Sequence, residues 1–304
     1  MEKETHIQLH IPKINSKIVA LLAVLAMTLF CASGILSKAD HALSDLWYQE
    51  AQASAGDVVL VEIDQTALEM YGPFQSWKRT IMADAINALN QSEDCRPAAI
   101  GIDVLYSGQS SPEEDAALAE AAGRYGNVVM SVAGEYKSGI REDENGEFYY
   151  DDLYIDRLDE PFEELKNVTE QGHINTMYDT DGIIRHHPWE LHLDDGTIVP
   201  SFPYVLAAMY LEYYGEEGIQ TPPMDSKGFW YLPFTGEPGD YSEAISIYDV
   251  IEGNIPAEYF ADRIVLIGAY TAGLQDSYVT AMDHAVPMYG MEYQANVIAS
   301  MTFA

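Results

Sequence analysis

Residues 57–64 read DVVLVEID, a run of branched apolar residues that ends in a carboxylate. A near-continuous apolar run is typical of a strand buried on both faces, as parallel strands are between two layers of helices. Three further runs have the same character, namely AAIGIDV (98–104), NVVMSVA (127–133) and RIVLIGA (263–269). We predict that these four strands form the core of a parallel sheet.

Helical periodicity alternates with these runs. Apolar residues recur at helical spacing in SWKRTIMADAINALN (76–90) and in FPYVLAAMYLEYY (202–214), while PEEDAALAEAAGRY (112–125) is rich in alanine and carries acids in its first turn. A last helix is predicted over 290–301. Right-handed crossovers between such units place helices on both faces of the sheet.

A second kind of pattern interrupts this alternation. Residues 141–166 contain 11 acids and little periodicity, which predicts an exposed insertion. GHINTMY (172–178) and IIRHHPWELHL (183–193) then predict antiparallel strands, with turns at 179–182 and 194–196. The predicted fold is therefore α/β, a mainly parallel sheet flanked by helices, with an antiparallel strand insertion and one preceding transmembrane helix.

The transmembrane prediction rests on Ile18 to Leu36, a stretch of 19 residues without a charge. A helix of that length covers about 28 Å, close to the thickness of the hydrocarbon core of a bilayer. Lys3, Lys13 and Lys17 lie on its amino side, so the positive-inside bias predicts that residues 1–17 are a cytoplasmic tail and that the rest is extracytoplasmic. The lipid bilayer is thus an expected partner of Ile18 to Leu36.

The remaining boundaries follow from this orientation. Residues 37–56 are predicted to continue as a stalk helix, and 57–304 to form the extracytoplasmic domain. A cleaved signal peptide is the alternative to the anchor, but its apolar core is usually shorter and the site at Ser37-Lys38-Ala39 has a lysine in its middle. The last predicted helix has no stop signal before Ala304, which suggests that the chain is cut where something should follow.

Composition excludes several functions. With 15 Lys+Arg against 49 Asp+Glu the net charge is −34, which is incompatible with neutralising nucleic-acid phosphates. The two cysteines, Cys31 and Cys95, cannot support a disulfide scaffold. The sequence contains no Gly-x-Gly or Gly-Lys-Ser/Thr phosphate loop, no Gly-x-Ser-x-Gly and no His-Glu-x-x-His. We therefore predict no cofactor and no catalytic residue of the common hydrolase types.

The spacing of the candidate ligand residues argues against a metal site. The loops around Asp143 and around Asp179-Thr180-Asp181-Gly182 fail the calcium-loop pattern at the first ligand position, which favours turns. Three histidines, His186, His187 and His192, could supply zinc ligands, but only two of them share strand parity, so exposed strand histidines are the favoured interpretation.

Polar residues at the strand ends are the remaining candidate site. Asp64 and Asp103 end two predicted strands, and the last strand leads through Thr271 to Asp276. Ligands of open parallel sheets bind outside the carboxyl ends of the strands, so these four residues could line one pocket for a cation or a small hydrogen-bonding ligand. The favoured alternative is that the acids cap helices and turns and bind nothing.

Short motifs follow one another in a distinctive order over residues 40–300. In sequence they are VVLVEID, Tyr71-Gly72, Ser76-Trp77-Lys78-Arg79, AAIGIDV, Asp115, NVVMSVA, Asn175, Asp179-Thr180-Asp181-Gly182, Arg185, Pro200-Ser201-Phe202, RIVLIGAYTAGLQDSYVT and Gly290-Met291-Glu292-Tyr293-Gln294-Ala295-Asn296. The series resembles the second subtype of the CHASE family, extracytoplasmic sensor domains of bacterial nucleotide cyclases, histidine kinases, Ser/Thr kinases and diguanylate cyclases.

The resemblance implies a sensory input domain of a membrane-bound receptor, followed by further membrane helices and a cytoplasmic output domain that this chain does not contain. A nucleotide cyclase is the favoured output, an unidentified small ligand or stimulus is the expected partner, and homodimers are expected. This region itself is then not expected to be an enzyme. Two other hypotheses stay open: a membrane-tethered metal-dependent hydrolase that uses Asp64, Asp103 and Asp276, and a purely structural surface anchor.

Overall fold

The computed structural model describes residues 16–33, 41, 43–46, 57–142, 145–216 and 218–302. The chain divides into two units, Met1–Tyr48 and Gln49–Ala304. In the first, helix α1 spans Ser16–Ala32 and exposes its apolar side chains, and residues 41 and 43–46 are helical. Most of the predicted stalk at 37–56 lies outside the described residues.

The predicted membrane-spanning helix over Ile18 to Leu36 is not confirmed. Helix α1 has 17 residues and ends at Ala32, whereas a span needs about 20 apolar residues. None of the helices in the described part of the chain combines the length and the apolar character that crossing a bilayer requires.

A parallel sheet forms the centre of the second unit. Its strands are β1 Val58–Ile63, β2 Ala99–Asp103, β3 Val128–Glu142, β5 Glu170–His173 and β11 Ile264–Ala269. They lie in the order β1, β11, β2, β3, β5, and every neighbouring pair is parallel. All four predicted parallel strands are thus confirmed, and β5 is an addition to them.

Helices cover both faces of this sheet, as the alternating pattern predicts. One face packs against α2, α3, α4, α5 and α7, and the other against α6 and α8. The bounds are α2 Gln65–Tyr71, α3 Arg79–Leu89, α4 Pro112–Gly123, α5 Glu163–Lys166, α6 Phe202–Tyr214, α7 Ile247–Ile251 and α8 Gly290–Thr302. Alternate residues of β1 show the division: Val59 and Val61 join the first cluster, Val58 and Leu60 the second.

The antiparallel part forms a ribbon and three small sheets. Strand β3 continues past the sheet and pairs with β4 (Phe148–Asp159) in a ribbon whose register shifts twice, so much of the acidic segment predicted as an exposed insertion belongs to an antiparallel ribbon. Most of its tip is exposed, as predicted. The first small sheet pairs β7 (Ile184–Pro188) with both β6 (Met177–Tyr178) and β10 (Phe229–Tyr231). The other two pair β8 (Glu190–His192) with β9 (Ile198–Pro200) and β12 (Ser277–Tyr278) with β13 (Met288–Tyr289).

Strand β5 lies in direct backbone contact with the start of α6. A Cβ atom added to Gly172 would lie 2.6 Å from the backbone N of Phe202 and 2.9 Å from the carbonyl C of Ser201, and backbone atoms cannot rotate away. We therefore expect Gly172→Ala to lower the free energy of unfolding by about 1–3 kcal/mol or more, the usual cost of overpacking. Urea-induced unfolding measures this change.

Gly139 provides the matched control, because it also lies in a strand but has no atom within 4 Å of an added Cβ. Gly139→Ala is expected to leave stability unchanged or slightly higher. Equal losses for the two variants would contradict the packing argument.

Candidate functional site: acids at the carboxyl edge of the sheet

Four acidic side chains lie near the start of α8 at the carboxyl ends of the strands, and they interact as two pairs, Glu62 with Glu292 and Asp103 with Asp276. Glu62 and Asp103 lie on β1 and β2 and flank Gly268 of β11, which pairs with both. An added Cβ on Gly268 would lie 3.1 Å from Cβ of Asp103 and 3.5 Å from Cβ of Met291 in the first turn of α8. The missing side chain of Gly268 thus lets Asp103 and α8 approach each other.

Asp276 completes the arrangement from the loop after β11. Its carbonyl oxygen accepts a hydrogen bond from the N–H of Gly290, the first residue of α8, at 3.2 Å. A Cβ on Gly290 would lie 2.6 Å from Cγ of Asp276, so only glycine fits beside this carboxyl group. We call Glu62, Asp103, Asp276 and Glu292 the strand-edge acid cluster.

The hydrogen bonds of the cluster come from hydroxyl and backbone groups. Ser242 donates to Glu62 at 2.5 Å, and Glu292 accepts from the N–H of Gly239 at 2.7 Å and of Tyr289 at 3.3 Å. Among the residues that the structure describes, no member of the cluster makes an ion pair. These carboxyl groups therefore lack a positive side chain to compensate their charge.

Because no positive side chain of the described residues pairs with these carboxyl groups, burial raises their pKa values. Burial raises the pKa of Glu62 to about 7, although the hydrogen bond from Ser242 opposes the shift. Burial, followed by repulsion from Asp276, raises the pKa of Asp103, and burial likewise raises the pKa values of Asp276 and Glu292. Uncompensated buried carboxyl groups keep a proton or take up a cation, since an isolated buried charge is costly.

A row of aromatic side chains leads from the cluster into the interior. Tyr278 hydrogen-bonds Asp276, and its ring centroid lies 6.1 Å from that of Tyr293. The hydroxyl of Tyr293 lies 2.9 Å from Nδ1 of His187, whose ring stacks on His173 at 6.1 Å. Burial lowers the pKa of His173 to about 3 and holds that of His187 well below its usual value. Both histidines are therefore neutral in the native state.

The sequence-predicted site residues separate into two groups. Asp103 and Asp276 interact, as the prediction of a shared pocket expects. Asp64 instead caps α2, because its Oδ1 accepts from the N–H of Ala67 at 2.9 Å and from Oγ of Ser246 at 2.7 Å. Thr271 precedes a short 3₁₀ helix, and its carbonyl accepts from Leu274 at 3.0 Å. Ligand binding by these four residues stays a prediction.

Sequence reasoning missed Glu62 and Glu292. The signal for Glu62 was present, because it is the one ionisable residue inside the apolar run 58–63. Glu292 resembles any acid in the first turn of a helix, and only the complete burial of α8 distinguishes it.

Several motif residues stabilise the fold rather than the site. Arg79 pairs with Asp115 at 2.6 Å, and its guanidinium lies 4.4 Å from the ring centroid of Phe162. Asn175 exchanges two hydrogen bonds with the backbone of Gly134, at 2.7 and 2.6 Å. These motif residues therefore hold elements of the fold together and do not belong to the acid cluster.

Comparison with known proteins gives one result. The family model of the CHASE2 domain matches residues 19–304, which is nearly the whole chain. No curated protein and no solved structure gives a significant match. The match agrees with the motif order and with the α/β architecture described above. The chain is therefore a member of the CHASE2 family, the extracellular sensory domains of signalling proteins.

Proposed function

We propose that this chain is the extracytoplasmic input domain of a membrane-bound bacterial receptor whose output is a nucleotide cyclase. Family membership supports the sensory role. The uncharged stretch Ile18 to Leu36, preceded by Lys3, Lys13 and Lys17, supports the anchor and its orientation.

The observation that carries the proposal is the position of the acid cluster at the first turn of α8. A change of protonation or cation occupancy between Asp103 and Asp276 acts directly on Gly290, where that helix begins. A stimulus shifts a receptor only if it interacts differently with two arrangements of the protein. Asp103, Asp276 and Thr271 are the residues that we propose bind the stimulus, while Asp64 caps α2.

Cysteine labelling in intact cells tests the orientation. In a background that carries both Cys31→Ser and Cys95→Ser, a cysteine at the exposed position Glu258 is expected to react with a membrane-impermeant maleimide. A cysteine at Lys3 is expected to react only after the cells are permeabilised. The opposite labelling pattern would exclude the extracytoplasmic assignment.

The output is tested in the intact gene. Asp103→Asn and Asp276→Asn are each expected to change cyclic-nucleotide production by about fivefold or more, the usual size of coupling between a ligand site and an output. Asp84→Asn, a change at an exposed acid on the surface of α3, serves as the control and should leave production unchanged. A gene without a cyclase domain, or equal output from all three variants, would disprove the proposal.

The metal-dependent hydrolase is less well supported. Oδ1 of Asp64 already accepts two hydrogen bonds, so this residue is committed to capping α2 and to Ser246. Only Asp103 and Asp276 of the three hypothesised ligands interact. Metal-dependent phosphoester turnover by the purified protein, lost in Asp103→Asn, would favour the enzyme over the sensor.

A further inference from the structure

A groove of about 720 Å³ lies at the opposite edge of the sheet, beside the amino ends of β2 and β3 and along α6. This volume falls within the range of small-molecule sites. The groove is separate from the acid cluster, because parallel strands have their amino and carboxyl ends at opposite edges. Its walls combine acids, tyrosines and aliphatic side chains.

The charge of the groove is negative. Glu93, Asp94, Glu170 and Glu212 line it and are all exposed. One basic residue, Arg96, also lines it, but its guanidinium lies 4.8 Å from the ring centroid of Tyr125 and 3.8 Å from Glu93. The net charge of −34 strengthens the local field, so the groove attracts cations and repels a second copy of the chain.

The floor of the groove is apolar. Val205, Ala208 and Met209 follow one another at helical spacing along α6 and remain partly exposed. A small, fully hydrated metal ion gains nothing from such a surface. An organic cation with methylene segments covers it and gains about 0.8 kcal/mol for each buried CH₂ group.

A buried acceptor adds a third element. Asn127 lines the groove and is 8% exposed. Its Nδ2 donates to Oδ1 of Asn90 at 3.0 Å and to the carbonyl of Pro97 at 3.1 Å, whereas its own Oδ1 has no hydrogen-bond partner. This oxygen is itself buried, so an N–H donor from a ligand would reach it only after a small movement of the groove wall, and would then satisfy an acceptor of a kind that is normally paired.

We propose that this groove binds a linear organic polyamine, with its ammonium groups on the acidic rim and its methylene segments on the floor formed by α6. Carboxylates recognise ammonium groups, and the tyrosine rings of the walls favour cations further. The proposal does not depend on the sensory role, because it concerns binding alone.

Titration calorimetry of the purified protein with spermidine and with diamines of four and eight methylene groups tests the proposal. We expect one site per chain and an affinity that rises by up to about fourfold for each added methylene. Glu170→Gln and Glu212→Gln should each weaken spermidine binding about fivefold, the effect of one partly exposed ion pair. Glu113→Gln, at an exposed acid of α4 on the other edge of the sheet, should have no effect.

Three outcomes would overturn the proposal. The first is the absence of binding at millimolar spermidine. The second is equal affinity for the two diamines, which would indicate attraction by charge alone without contact to the floor. The third is an equal loss for Glu113→Gln and Glu212→Gln, which would place the ligand elsewhere or spread it over the acidic surface. A negative result in any of these titrations does not count against the proposed sensory function, because that function is tested separately at Asp103 and Asp276.

Discussion

Replacing Arg185 by methionine is expected to lower the free energy of unfolding by about 1–3 kcal/mol, because it leaves the partly buried carboxylate of Asp179 without its buried cation. Arg185 is 1% exposed, and its Nη1 donates to Asp179 at 2.9 Å and to Asp181 at 3.0 Å. Although burial alone would raise it, hydrogen bonds from His186 and Arg185 lower the pKa of Asp179. The charged form of the Asp179 carboxylate is therefore stabilised by this cation.

Arg157 offers the matched control for that measurement. It also pairs with a carboxylate, Glu135 at 2.9 Å, but its side chain is 64% exposed. Arg157→Met is expected to cost less than about 1 kcal/mol, as exposed ion pairs do. Urea unfolding of both variants compares the two values, and similar losses would show that burial of Arg185 is not the deciding factor.

The stability of the domain is expected to fall as the pH rises from about 6.5 to about 8. In this range Glu62 and Asp103, whose pKa values are raised, keep protons in the folded state that the unfolded chain has already released. The folded state then binds more protons, so the free energy of unfolding decreases with pH, by up to about 1.4 kcal/mol per pH unit for each proton kept. Chemical denaturation at several pH values measures the slope.

Below pH 6.5 the buried histidines act in the opposite direction. The depressed pKa values of His173 and His187 mean that the unfolded state takes up protons first, so the contribution of these histidines lowers stability as the pH falls through this range. The carboxyl groups with raised pKa values act against it, because they go on stabilising the folded state as the pH falls toward the pKa of an unfolded carboxyl group, at about 4. Only above about pH 7.5 are the histidines neutral in both states, and the slope measured there isolates the carboxyl groups.

Asp103→Asn identifies the source of the alkaline slope. The amide has no proton to release, so the variant should gain up to about 2 kcal/mol at pH 8 relative to the unsubstituted protein and lose part of the pH dependence. Glu258→Gln, at an exposed acid, should leave the curve unchanged. An unaltered slope in Asp103→Asn would mean that repulsion among the many surface acids, and not the cluster, causes the effect.

The sheet and its helices could be predicted from the sequence because their patterns are local. The apolar runs at 57–64, 98–104, 127–133 and 263–269 all form strands within one residue of their predicted starts. FPYVLAAMYLEYY forms a helix with the predicted bounds, Phe202–Tyr214. A short, nearly continuous apolar run of this kind is typical of a strand that is buried on both faces of a sheet.

The remaining features depend on contacts between distant residues. The β3–β4 ribbon places Ile140 opposite Tyr150, and its acids mask the alternation that would predict a strand. The acid cluster joins residues from positions 62 to 292 through the small size of Gly268 and Gly290. A strand-end aspartate also looks the same whether it caps a helix, like Asp64, or faces another acid, like Asp103.

The burial of α8 has a consequence for any movement that begins at its first turn. Residues 290–300 are buried without interruption, so the helix has no solvent-facing side on which it could slide. Close-packed interiors do not deform continuously, and they respond by changing between discrete packings. Displacement of this helix is therefore an all-or-none event that involves many side chains at once, and a graded stimulus would alter how often it occurs, not how far the helix travels.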